Sequence, residues 1–545
     1  MKKFSKILGL LLAGTMVLGA MAGCGAEEVA NSDSAAVESS VDASADVQTT
    51  GVSYPLDTDE TLSIALLSDK AVAAVCKDIS ATPFAKAWAE QTGVDIEFHV
   101  CENASAMQLM FADGDLPDIV IWLPYNYAGG PAKAIEDGIM EPLTWEEIET
   151  YAPDYAKVLT ESHPDVARTY KTDDGDYIGF GQLPCNTYYR NSSGMVVRAD
   201  WLKEWGMEVP DTVEELEAYL TKSLEVEGMQ APFASAHLIS PVQNGYWTSP
   251  FGLVNADLYQ VDGTLHAGFV EPGYKDFLMW CRSLAERGLM DTSFTYLENA
   301  IYTNGTAVWH AAVGGGVGTY MAYAEDPANG LEGFEVVGMP SLKGEDGIAM
   351  GGYTTVSGPA GNRVAWITPQ CDNKELALQF LNYGYTEAGN LLFNFGVEGE
   401  SYTMVDGVPT YTEWITNNPD GLSMQYAMAQ YNRAAVGGGP FVQSDDYARQ
   451  YFWRPQQVAT TEAFNQHEGE NYNLPIFTVA EENASEYASL GADIETFVAE
   501  SRVHFVDGTW SFDDYETLYI EPLKKMGLER YLEIIQEALD RFYAR

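Results

Sequence analysis

Residues 61–122 switch repeatedly between two periodicities, and this alternation restricts the fold more than any other feature. "TLSIALL" (61–67) reads as a strand. "TPFAKAWAEQTG" (82–93) reads as a helix that Thr82 can cap, with Pro83 in its first turn and Gly93 at its end. "VDIEFHV" (94–100) alternates like a strand, and "NASAMQLMFADGD" (103–115) is a second helix stopped at Gly114. "PDIVIW" (117–122) is apolar enough to be covered on both faces. A β-α-β-α-β order with short links predicts a parallel sheet with helices on both faces, an α/β fold. Ligands of such sheets sit beyond the carboxyl ends of the strands. Trp122, Tyr125 and Asn126 fall at that point. The rings of Trp122, Tyr125 and Tyr127 either pack or wait for a flat, hydroxylated ligand.

Beyond residue 172 the pattern restarts. "TDDGDYIGF" (172–180) predicts a hairpin turning at Asp174-Gly175. Its "DDGD" could also hold calcium, although the distal bidentate glutamate of a calcium loop is missing. "GMVVR" (194–198) is a strand, and Thr212 with Glu215 forms a capping box for the helix over 211–224. Helices follow over 277–289, 375–385 and 528–544. "GGGVG" (314–318) lacks a following Gly-Lys-Ser/Thr and is expected to be a flexible turn rather than a phosphate cradle. Trp88 and Trp280 lie on helix faces and are expected in the core; Trp201 and Trp205 are expected to pack.

The first residues carry an address. "MKKFSK" is basic, "ILGLLLAGTMVLGAMA" is apolar, and small residues precede Cys24, as in a secretory signal over 1–23. Ala22-Gly23-Cys24 resembles the lipobox of bacterial lipoproteins, which implies a lipidated Cys24. The apolar run is shorter than the roughly 20 residues a membrane span needs. Residues 25–58 hold Asp and Glu but no Lys or Arg, so 24–58 is expected to be a lipidated cysteine and a disordered acidic linker.

The net charge is −51, which argues against nucleic acid as a partner and against polyanions unless a local basic pocket exists. The five cysteines after Cys24 are odd in number and widely spaced, so no disulfide framework is indicated. No HExxH, GxSxG or Walker lysine motif is present. No metal site, no cofactor and no catalytic residue is expected. Paired carboxylates of a glycoside hydrolase are the one enzymatic alternative that so acidic a composition leaves open.

"QTGVDIEFHV", "FADGDLPDIVIW", "AIEDGIMEPL", "VVRADWLKEWGMEVPDTVEELEAYL", "LAERGLMD" and "KELALQFLNYGYTEAGNLLFNFGVEGESY" follow one another in the order found in a known family. Over residues 60–545 the chain resembles the extracellular solute-binding proteins of family 1, the receptors of ABC importers, in particular their long lipoprotein branch in Firmicutes. The resemblance implies a type II periplasmic-binding-protein-like fold, with two hinged α/β lobes and a ligand cleft between them. It places residues 59–190 and 352–415 in one lobe, and 191–351 and 416–545 in the other. It implies no enzyme but a lipid-anchored, monomeric receptor on the extracellular face of the cell membrane. Such a receptor captures an oligosaccharide and passes it to permease subunits. A peptide or other small solute is the alternative within the class.

The distant maltose-binding branch suggests positions for ligand contacts. Its strand-end tryptophan and following polar residues resemble Trp122, Tyr125 and Asn126. "QNGYWTSP" suggests Asn244, Tyr246 and Trp247; "NGTAVWH" suggests Trp309 and His310; "YFWRP" suggests Trp453 and Arg454. Tyr353 and Glu398 lie near expected crossovers between lobes. Rings suit sugars because a pyranose offers an apolar face to stack on and a polar rim to hydrogen-bond.

Overall fold

The computed structural model describes residues 51–183, 193–229, 231–234, 246–292, 311–316, 333–344, 363–436, 438–465 and 472–545. Cys24, Asn244, Trp309, His310 and Tyr353 lie outside the described residues.

The strands in chain order are β1 (Thr61–Leu67), β2 (Asp95–Cys101), β3 (Ile119–Trp122), β4 (Phe180–Leu183), β5 (Ser193–Arg198), β6 (Phe233–Ala234) and β7 (Leu258–Val261). They continue with β8 (Thr264–Ala267), β9 (Ala312–Gly316), β10 (Val336–Met339), β11 (Val364–Ile367), β12 (Tyr402–Val405), β13 (Val408–Tyr411) and β14 (Phe441–Val442). A six-stranded sheet has the order β14-β4-β11-β3-β1-β2, and a four-stranded sheet the order β10-β5-β9-β6. In the first sheet β1, β2 and β3 run parallel, and β11 is antiparallel to both β3 and β4. The remaining strands form the hairpins β7-β8 and β12-β13.

Local chemistry explains the helices that cover the first sheet. Thr82 Oγ1 accepts from Ala85 N–H at 3.2 Å to start the helix Pro83–Thr92, and Gly93, at φ 75°, ends it in the left-handed region. Asn103 caps Ala104–Asp113 in the same way, and Gly114 closes it. The Thr212 cap differs from expectation by one residue. Its hydroxyl accepts from Glu215 N–H, but the Glu215 carboxylate returns to the Asp211 N–H rather than to Thr212. The glycine run 314–316 is not a turn: Gly314, Gly315 and Gly316 pair with Met195, Gly194 and Ser193 inside β9.

Two separate hydrophobic cores follow from this layering. The first gathers Ile64, Val120, Trp122, Phe180, Trp366, Phe393, Met428 and Tyr447. The second gathers Val196, Leu216, Trp247, Leu284, Phe452, Phe505 and Tyr531. The chain therefore stays with the first core well past residue 415. Ala427, Met428, Phe441, Tyr447 and Ala448 all belong there, so residues 416–448 were wrongly expected in the other lobe. The reason is β14, which joins the first sheet beside β4 through Phe441 and Val442. The crossover comes at Tyr451, which packs against both cores. Its ring stacks on Tyr447 at 5.6 Å and meets Phe452 edge-on at 4.9 Å, so an aromatic ladder carries the chain from one core to the next.

Candidate functional site

Strand polarity brings several polar residues to the carboxyl edge of the first sheet. β1 ends at Leu67, and Asp69 caps the next helix (Lys70–Val75) by accepting from Ala71 and Val72 N–H at 2.8 and 3.1 Å. β3 ends at Trp122, opposite Val364, so Arg363 enters at the same edge. β4 reaches that edge with Gln182. Arg433 arrives just after the helix Met424–Met428, which packs against Lys70–Val75. Its Nε donates to Gly438 O at 3.5 Å, and Gly438 N–H donates to Gln182 Oε1 at 2.9 Å. Gly438 has φ 100°, and a Cβ there would sit 2.5 Å from Arg363 Cδ. Only glycine lets the loop press this closely on the Arg363 stem.

The electrostatics of this edge are unusual for so acidic a chain. Arg433 is 6% exposed. Burial, with the neighbouring Arg363 charge, pulls its guanidinium down to about 10, and Asp69 opposes this. Burial also lowers Arg363, again against the pull of Asp69. Sequence reasoning missed all three residues because each stands alone in an ordinary context ("SDK", "NRV", "YNRAA"). The one usable signal was scarcity: only 29 Lys and Arg stand against 80 Asp and Glu, so an arginine inside an apolar segment is conspicuous.

The expected stacking residues are distributed differently. Trp122 is 1% exposed, tilted against Phe111 at 5.6 Å, and so is a core residue rather than an open platform. Its place in the ladder between β1 and β11 puts the ring under the helix Ala104–Asp113, although the strand ends there. Trp247 is equally buried, edge-on to Phe233 at 4.1 Å, with an indole N–H that has no partner among the described residues. Tyr246 is buried over Gly194, where a Cβ would lie 2.6 Å from its ring. These three side chains are corrections to the expectation of ligand contact, since each was consumed by packing. Trp88 stacks on Phe380 at 4.6 Å in the first core, and Trp280 lies in the second.

Other candidates remain open to solvent. Trp453 is 59% exposed directly after the crossover, with the Arg454 guanidinium 5.5 Å from its ring centre. Asn126 is exposed at the edge of the first sheet. Glu398 is exposed beside the hairpin β12-β13, bridging to Tyr402. A cavity of about 460 Å³ near Leu258, Val498 and Arg502 belongs to the second core. There Arg502 is held by Tyr274, Ala256 and Asp257, a structural arrangement.

The two lobes also touch through Tyr125. Its hydroxyl donates to Thr169 O at 3.3 Å, and Arg545 lies beside it and opposes the upward push of burial on the phenol. Asp173, in the hairpin after Thr172, is gripped from the other lobe. Arg541 Nε reaches Oδ2 at 2.8 Å, and Arg545 reaches Oδ1 at 2.8–2.9 Å. Guanidinium groups thus occupy the first carboxylate of "DDGD".

Comparison with known proteins agrees with this architecture. Residues 78–391 match the family described as bacterial extracellular solute-binding protein. The chain is 24% identical to the fructooligosaccharide ABC transporter substrate-binding protein FusA of Streptococcus pneumoniae, over 100% of this chain and 99% of that one. It is also 24% identical to the lipoprotein LipO of Bacillus subtilis, over 82% and 86% of the two chains. The solved alginate-binding protein AlgQ2 superposes with a TM-score of 0.65 at 22% identity, covering 90% of this chain and all of the other, and shows the same fold.

Proposed function

The chain belongs to the bacterial extracellular solute-binding protein family, and from that premise we propose that it is the oligosaccharide receptor of an ABC importer. It binds and does not transform its ligand, as the family does. Cys24 carries the lipid. The linker expected to stay disordered through residue 58 instead docks on the first core at Tyr54, whose hydroxyl donates to Gln379 O, and at Leu56, whose N–H donates to Thr92 O at 2.8 Å. A tether over 25–50 therefore has an rms span of roughly 25–30 Å and keeps the lobes within reach of the permease. No described helix is long and apolar enough to cross a membrane. The receptor works as a monomer at the extracellular face.

The observation that carries this reading is the crossover. Two α/β cores meet at Tyr451, and the next exposed side chain is a tryptophan, Trp453. A ring at a hinge touches ligand only when the lobes approach, so ligand and closure select one another. The full-length likeness to a fructooligosaccharide receptor supports a glycan as the ligand. Asn126 supplies rim hydrogen bonds from the first lobe, Arg454 from the second.

A thermal-shift screen of oligosaccharides and peptides tests this. A glycan present at 100 times its dissociation constant adds about 2.7 kcal/mol of stability and raises the melting temperature. A rise with peptides and with no oligosaccharide contradicts the reading.

A further inference from the structure

Arg433 has a guanidinium with five N–H donors. The residue is 6% exposed, yet among the described residues the guanidinium makes one long hydrogen bond, to Gly438 O at 3.5 Å, while the backbone N–H donates to Phe393 O at 2.9 Å. A buried guanidinium left so poorly matched is costly unless an acceptor completes it. The Asp69 carboxylate at this edge spends its Oδ1 on two backbone N–H groups at the start of its helix. Arg363 adds a second positive charge beside it and is only half-buried, so the group opens to solvent. All of these residues cluster at the carboxyl edge of the first sheet, where ligands of α/β sheets bind.

We propose that Arg433 and Arg363 form an anion subsite that receives a carboxylate of the bound glycan, so that the natural ligand is an acidic, uronate-bearing oligosaccharide. The proposal rests on the reading of the chain as an oligosaccharide receptor. A guanidinium buried with a single long hydrogen bond, that of Arg433, sets positive charge at this edge of a chain of net charge −51. A carboxylate is planar and takes paired N–H donors from arginine, which a neutral hydroxyl cannot do as well. The acidic exterior then repels free polyanions everywhere except at this point, which turns charge into selectivity.

Calorimetric titration with matched pairs tests this. The probes are tetrasaccharides of galacturonate, glucuronate and mannuronate, their methyl esters, which keep the shape and remove the charge, and neutral tetrasaccharides. At least one acid is expected to bind ten-fold or more tightly than its ester. Arg433→Gln abolishes that preference, and Arg363→Gln reduces it; the second variant serves if the first fails to fold. Binding of neutral tetrasaccharides with no acid preferred over its ester overturns the anion subsite and leaves the receptor reading intact. Binding of peptides with no glycan of any kind overturns both.

Discussion

Arg541 Nε donates to Asp173 Oδ2 at 2.8 Å, tying the last helix (Leu528–Ala544) to a hairpin that flanks the first core. Arg545, whose side chain is 2% exposed, closes on the other carboxylate oxygen. A doubly gripped carboxylate between lobes acts as a clasp. Asp173→Asn is expected to lower unfolding free energy by about 1–3 kcal/mol, the range for hydrogen bonds to charged groups. The Asp173 side chain is one-third exposed, so screening places the effect toward the lower end. Urea denaturation at 0.05 and 0.5 M NaCl checks this: the gap between wild type and variant shrinks with salt. An equal gap at both salt concentrations contradicts an ionic clasp.

Trp122 and Trp453 are expected to separate stability from binding. Trp122 fills the first core, so Trp122→Ala costs about 3–5 kcal/mol of unliganded stability. Trp453 is 59% exposed, and its removal changes unliganded stability by less than about 0.5 kcal/mol. If about 80 Å² of its ring is covered by ligand, Trp453→Ala loses about 2 kcal/mol of affinity, roughly 30-fold in Kd. Denaturation and titration of both variants decide. A stable Trp122→Ala protein or an unaltered Trp453→Ala affinity runs against the assignment.

Gly438→Ala combines two faults. The residue has φ 100°, and its Cβ would lie 2.5 Å from Arg363 Cδ. Backbone strain and crowding together are expected to cost about 1–3 kcal/mol. Because Arg363 must move, glycan affinity falls as well. A variant with wild-type melting temperature and wild-type affinity contradicts the close packing of this edge.

Acid sensitivity is expected to involve Glu147. Burial raises its pKa, but the ion pair with Lys374 at 2.8 Å and the hydrogen bonds from Thr144 outweigh it, so the folded value lies below the ordinary 4.5. A depressed folded pKa means that the unfolded chain takes up the proton first. Its stabilisation is therefore complete above the unfolded value and is lost as pH falls through the folded one. Glu147→Gln should be less stable than wild type at pH 7, with the difference disappearing as the carboxylate protonates. Denaturation midpoints measured from pH 7 to pH 3 check this, and a gap that widens on acidification contradicts it.

Much of the architecture was legible in the residues because it was local. Thr82, Asn103 and Thr212 announce helix starts, and Gly93 and Gly114 announce their ends, through bonds made within four residues. The candidate site was harder to read. Strand periodicity places Trp122 at an edge but does not say that the helix bearing Phe111 covers its face. Trp247 sits in a similar trap between Phe233 and Trp280. The boundary at 415 failed because β14, a two-residue strand, decides which sheet the chain rejoins, and so short a segment has no period. Arg363 and Arg433 are 70 positions apart, and only the antiparallel return of β11 and the loop at Gly438 bring them near one another.

The central claim is that one glycan touches both lobes and draws them closed. Small-angle X-ray scattering of the whole lipid-free chain, with and without the oligosaccharide that gives the largest thermal shift, tests it most directly. The account predicts a smaller radius of gyration at saturation; at a glycan concentration near the wild-type Kd it predicts about half of that contraction in the wild type and almost none in Trp453→Ala. An unchanged radius of gyration at full occupancy of the wild-type protein contradicts it, because the glycan would then be held by one lobe alone.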